Sequence, residues 1–173
     1  VFSRGPVPPP MRSLRMALLT GSLTGLLGLV AWVGGVPALF PSLGPTAYAL
    51  ATAPDAPTSR PRWVVGGHVI GVVAGLACYH AIGGEAVVTS AFAPLSMTGL
   101  RLAASGCLAV ALTTAGMLAT RYQHPPACAT TLIVSLGLLP TLRDGLVVVL
   151  AVSLMVAVTA ALDRAVPTGD GRP

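Results

Sequence analysis

Residues 16–36 read MALLTGSLTGLLGLVAWVGGV, and residues 37–53 continue PALFPSLGPTAYALATA. A membrane-spanning helix needs about 20 apolar residues, and the first piece supplies them without a charge. It is too long for the core of a signal peptide, and further apolar runs follow, so it reads as a first transmembrane helix. The second piece is as apolar, but Pro41, Gly44 and Pro45 fall close together in it. A straight spanning helix does not readily accept that trio. A clean span followed by a broken one sets the pattern for the chain.

The composition agrees. The chain has 173 residues, 54% of them hydrophobic and 9% charged, with a net charge of +5. Its mean hydropathy is +0.82. A soluble domain carries about 25% charged residues, so this chain must face lipid. All ten basic residues are Arg, and they stand at the ends of apolar runs rather than on one face. That excludes a nucleic-acid footprint. Cys78, Cys107 and Cys128 lie inside apolar stretches with no metal or redox spacing, so they read as small buried hydrophobes. No cofactor and no metal are expected.

Beyond the opening stretch, clean runs recur at residues 63–82, 100–120 and 146–162, with a second broken segment at 124–139 holding Pro125 and Pro126. The chain therefore reads as an all-α, polytopic membrane helical bundle of two structural repeats. Each repeat carries a Pro-broken short helix between two spanning helices. Residues 1–15 read as a disordered tail, 16–163 as the transmembrane domain with repeats at about 16–82 and 100–163, and 164–173 as a polar tail. The expected location is a cell membrane, the inner one of a bacterium, with the lipid bilayer as the first partner.

Two topologies compete. Re-entrant broken segments leave four spans and parallel halves; crossing ones give six segments and inverted halves. The positive-inside bias arbitrates. With six crossings, Arg4, Arg12, Arg15, Arg60, Arg62, Arg121, Arg164 and Arg172 lie inside and Arg101 and Arg143 outside. With four, Arg60, Arg62, Arg121 and Arg143 all fall outside. The six-segment reading, with inverted halves and both termini cytoplasmic, is favoured.

Backbone that leaves a helix needs partners, and lipid has none to give. Paired Gly/Pro-broken segments at matching places in two halves point to a transporter's binding site. The first turn of a half-helix exposes N–H groups and partial positive charge, so it suits an anion. Pro45 and Pro125–Pro126 stand where such helices would start. Ser42, Thr46 and Thr130 add hydroxyls nearby.

Three stretches then resemble a known family. Tyr122-Gln123-His124-Pro125-Pro126-Ala127-Cys128-Ala129-Thr130 is similar to the signature of the HPP family of integral membrane proteins, named for its His-Pro-Pro triplet. Ala53-Pro54-Asp55, with Arg60-Pro61-Arg62 and Gly66-Gly67-His68, resembles its second motif, and Ser42-Leu43-Gly44-Pro45-Thr46-Ala47 a third. Cys128 stands where Gly is usual, Arg60 where Gln is, and Trp63 in place of a polar residue. The resemblance implies a small multi-span protein, usually described with four helices, and links some members to nitrite transport.

The expected anion-binding or pore-lining set is Ser42, Gly44, Pro45, Thr46, His68, His124, Pro125, Pro126, Ala127 and Thr130. His124 leads it, because an ionisable group at membrane depth marks function. It can pair with an anion or relay a proton; the competing reading is a helix cap at the interface beside Arg121. His68 follows Gly66–Gly67, where helices can approach closely; its competing reading is a bond to a neighbouring carbonyl. His80 reads as interfacial. No nucleophile–base pair or paired carboxylate argues for an enzyme. Gly21, Gly25 and Gly28 form a packing seam, and such Gly and Ala seams leave room for a homodimer. The expected function is transport of a small inorganic anion, nitrite by resemblance, the alternative being a structural or sensory membrane protein without transport.

Overall fold

The computed structural model describes residues 9–165. Residues 1–8 and 166–173, the outer parts of the two expected tails, lie outside the described residues. The first helix, α1 (Pro10–Gly34), starts earlier than expected. Pro10 sits in its first turn, where a missing N–H costs nothing, and so residues 10–15 are helical rather than disordered. A short helix follows, α2 (Leu43–Thr52). Next comes α3 (Pro61–Cys78), which continues through one wide turn at Tyr79–Gly83. The second half holds α4 (Met97–Thr120), a short α5 (Ala127–Ser135) and α6 (Leu142–Ala165). Among the described residues there is no strand.

Local chemistry sets these boundaries. Gly35 and Gly84 take left-handed conformations, with φ of 59° and 70°, and so close α1 and the wide turn after α3. The Ser96 hydroxyl accepts from the Gly99 N–H at 3.2 Å and starts α4. At α6 the Thr141 hydroxyl accepts from the Asp144 N–H, while the Asp144 carboxylate accepts from the Thr141 N–H, each at 3.1 Å. That is a reciprocal box of the kind that fixes a helix start.

Four helices are long and apolar enough to cross a membrane: α1, α3 with its wide turn, α4 and α6. Leu18, Leu29, Val73, Leu112 and Leu150 point outward from them, toward lipid. Trp32, 81% exposed near the end of α1, suits an interface anchor. With 10 and 9 residues, α2 and α5 rise only about 15 Å each, half the roughly 30 Å hydrocarbon core. The expectation is of six segments that cross or partly cross, and by helix length α2 and α5 are partial ones. Helix alone does not carry the two short elements across.

The chain nevertheless does not double back around α5. A methyl group at Gly67 of α3 would lie 2.9 Å from the Cβ of His124, and one at Gly75 2.8 Å from the Cβ of Val134. Farther along, His80 Nε2 donates to the Pro140 carbonyl at 3.0 Å. Residues 124–140 thus run parallel to α3 from Gly67 to His80, about 20 Å at 1.5 Å per residue. Both α4 and α6 run the other way. Gly116 lies against Ile70 and Gly84 against Arg101; Gly145 meets Val72 and Leu76, while Asp163 shares a cleft with Arg60.

The core lies between the halves. Leu23 and Leu27 of α1, Leu43 and Ala47 of α2, Val64 of α3, and Val148, Val152 and Met155 of α6 are all buried together. Of the α1 seam, Gly28 packs against Leu39, while Gly21 and Gly25 face open space.

Candidate functional site

The first turns of the two short helices meet in the interior. Ser42 Oγ lies 2.6 Å from Thr130 Oγ1, and Thr46 Oγ1 lies 3.1 Å from His124 Nε2. The start of α2 is therefore paired with the body of α5, and its next turn with the approach to α5. The two first turns pass each other in opposite directions. His68, from α3, closes the cluster: its Nδ1 is 2.8 Å from Thr130 Oγ1 and its Nε2 is 3.1 Å from Thr46 Oγ1. The imidazole centroids are 5.2 Å apart. Ser42, Thr46, His68, His124 and Thr130 are each 0% exposed.

Hydrogen-bond accounting fixes who donates. His124 Nδ1 stands 2.8 Å from the Thr58 carbonyl. A carbonyl can only accept, so Nδ1 carries a proton, and in the neutral ring Nε2 must accept. Thr46 then donates to His124 Nε2 and accepts from His68 Nε2–H. The His68 Nδ1 accepts from Thr130, and Thr130 accepts from Ser42. Every bond in the chain Ser42–Thr130–His68–Thr46–His124–Thr58 is satisfied with both rings neutral. Among the described residues no buried side-chain nitrogen or oxygen lacks a partner. Burying polar groups this deeply is tolerable only on that condition.

The glycines of α3 make the approach possible. A Cβ at Gly71 would come within 2.8 Å of Thr131 Oγ1 and 2.9 Å of the Ala127 carbonyl. Together Gly67, Gly71 and Gly75 form a bare face one turn apart, and α5 lies on it, as small-residue seams permit in membranes.

Over residues 6–170 the chain matches the family described as HPP, transmembrane region. It belongs to that family. No curated protein and no solved structure matches it. With its four long apolar helices, this HPP-family chain is a multi-pass integral membrane protein.

Each of the three motifs of this HPP protein sends a side chain into the cluster. The Ser-Leu-Gly-Pro-Thr stretch places Ser42 and Thr46 on one face of α2. From the Gly-Gly-His stretch come Gly67, against His124, and His68. The His-Pro-Pro triplet buries His124, then starts α5 at once: Pro125 is exposed, and Pro126 is its half-buried N-cap. Ala127 is buried in the approach to α3. Of the expected set, Gly44, Pro45, Pro125 and Pro126 stay outside the polar cluster. Gly44 has nothing within 4 Å of where a Cβ would be, and Pro45 is exposed.

Three local expectations change. His124 is not an interfacial cap, since it is fully buried and α4 is instead closed by Arg121 at φ 62°. His68 bonds to two hydroxyls rather than to a carbonyl. The first-turn N–H groups of α5 are not free: Ala127, Cys128 and Ala129 donate to the His124, Pro125 and Pro126 carbonyls at 3.0, 3.0 and 3.1 Å. The turn has tightened, as helix ends do when water is scarce. The donors in the interior are hydroxyls and imidazoles. Sequence reasoning missed the Thr58 carbonyl, because a backbone group in a loop leaves no mark in side-chain identity. It also missed the buried Thr113–Thr131 pair at 2.9 Å, which ties α4 to α5.

Proposed function

We propose that the protein moves a small inorganic anion across the membrane, nitrite being favoured by the family resemblance, through the cluster where α2 and α5 begin. The observation that carries this reading is the meeting of three hydroxyls and two imidazoles, all fully buried, at the crossing of two broken helices. Lipid gives no reason to keep such a group. Hydroxyls that bond to one another and to the two imidazoles can turn to an entering anion. Neutral donors of this kind hold an anion weakly, which suits a site that must release its ion.

In the same reading the halves at about 16–82 and 100–163 are inverted repeats. Support comes from the opposed directions of α2 and α5 and from the matching order of long, short and long helices.

The test is uptake of nitrite, nitrate and chloride into proteoliposomes holding only this protein. We expect saturable nitrite uptake, reduced at least severalfold by His124→Ala and losing its rise at low pH. If none of the three anions enters faster than into protein-free vesicles, the protein is a structural or sensory membrane protein instead.

A further inference from the structure

We propose that His68 and His124, bridged by the hydroxyl of Thr46, form a site that holds one proton and loads and discharges it with each anion moved. The proposal rests on the transport reading above and names its coupling ion.

A bare anion brought into a dry cluster is strongly penalised unless a positive charge meets it. The elements packed around the cluster supply none at depth. On α2 the titratable side chain is the exposed Tyr48; α3 has, besides His68, the exposed Arg62 and the buried Cys78 at its far end; α4 has the exposed Arg101 and Cys107; and α5 has the half-buried Cys128. Asp55, Arg60, Arg121 and Tyr122 in the flanking loops, and Asp163 and Arg164 at the near end of α6, are all exposed. The two imidazoles are the groups placed to become positive beside the anion.

Geometry limits them to one proton. The rings lie 5.2 Å apart and share one hydroxyl. A second positive charge at that distance in a dry site is opposed by the first. The bridge also has a spare partner. When a proton from water adds to the lone pair of His124 Nε2, the Thr46 hydroxyl can no longer donate there. It turns to the Ser42 carbonyl, 3.2 Å away, and accepts from the imidazolium. Every group stays satisfied.

The charge can cross between helices once His68 has changed tautomer: its Nε2–H proton leaves to water that enters with the anion, a proton from water adds at Nδ1, and Thr130 then accepts from Nδ1–H and donates to Ser42. Thr46 turns its proton from the Ser42 carbonyl to the freed His68 Nε2. The His124 Nε2–H bond then breaks as a new O–H bond forms on Thr46, and the old Thr46 O–H bond breaks as an N–H bond forms on His68 Nε2. One proton has moved from the α5 side to α3, leaving His124 neutral and His68 as the imidazolium. A cleft of about 130 Å³ between Leu50, Pro54, Arg60, Val156 and Asp163 is also lined by Ser59, the neighbour of Thr58, and is the opening nearest to that end of the cluster among those described.

The test uses the full chain, labelled at histidine, in lipid nanodiscs, with imidazole NMR followed against pH and His80→Gln as the background. We expect His68 and His124 together to take up one proton in a single step, with the second held off to much lower pH. Thr46→Ser, which keeps the hydroxyl, should behave alike. Thr46→Val should split the pair into two rings that titrate separately and no longer exchange the proton. In proteoliposomes, nitrite entry should acidify the lumen by one proton per anion, after subtraction of nitrous acid leakage in protein-free vesicles. Joint uptake of two protons in one step, or a Thr46→Val profile equal to that of the unsubstituted protein, overturns the proposal. Nitrite entry without acidification overturns it as well. If no anion moves yet the one-proton titration holds, the transport reading fails and the proton site stands.

Discussion

Thr46 has three acceptor or donor partners within 3.2 Å and a single proton to give. That arithmetic makes it the pivot of the cluster, and it makes the cluster intolerant of partial removal. Thr130→Val keeps the side-chain shape but strands Ser42 Oγ and one nitrogen of His68. Leaving a buried polar group unpaired costs about 1–3 kcal/mol, so Thr130→Val should lower the unfolding midpoint clearly in a detergent-solubilised thermal melt. Adding Ser42→Ala removes one of the stranded groups and should recover part of the loss. A double variant as damaged as the sum of the two singles would show that Ser42 and Thr130 are not energetically coupled to each other. At this scale the sequence was legible where a motif fixed identity and illegible where geometry fixed role. His124, His68, Ser42, Thr46 and Thr130 could all be named from residue types. Their joining into one chain depended on a loop carbonyl at Thr58 and on which way α2 and α5 point. Neither is written in any single residue.

Among the elements, the contact between α3 and α5 decides where His124 stands. The α5 helix has 9 residues and no length with which to hold itself. It is placed by lying on Gly67, Gly71 and Gly75. Gly71→Ala puts a methyl group 2.9 Å from the backbone carbonyl of Ala127, which cannot rotate away as a side chain would. Overpacking of this kind costs about 1–3 kcal/mol, and it should push α5 outward and loosen the His68–Thr130 bond. The expected outcome is a lower melting temperature together with shifted His68 imidazole signals. Gly21→Ala on α1, where nothing lies within 4 Å, is the matched control: it should leave the His68 signals unchanged and the melting temperature equal or slightly raised. Equal effects at the two positions would show that helix propensity, and not close approach, is being measured. Proline and glycine punctuation marked that α2 and α5 exist; their short lengths and the tightened first turn of α5 depend on packing that punctuation does not report.

For the whole molecule, the question is whether a chain with four long helices makes four traverses or six. Length alone answers four, since α2 and α5 reach about half the bilayer thickness. Direction gives a different answer for the second half. Because α4 and α6 both oppose α3, they run parallel to each other, and the segment joining them must carry the chain back from one end of the bundle to the other. Residues 124–140 do so, part as helix and part as turns, lying along the bare face of α3 on one side while Leu132 and Leu138 face outward. Non-helical backbone at that depth is permitted when protein covers it. The Arg distribution leads to the same place, since it puts Arg121 inside and Arg143 outside. Gln123 and Arg143 are both exposed and flank this segment. Single cysteines placed there, with Cys78, Cys107 and Cys128 replaced by Ala, should react with a membrane-impermeant maleimide from opposite sides of intact cells or inverted vesicles. The cysteine at position 123 should be blocked only in inverted vesicles and that at 143 only in intact cells. Labelling of both from one side would mean that the segment dips and returns. The parallel run of α5 along α3 would then have to be abandoned, and the opposed crossing that brings Ser42 to Thr130 with it.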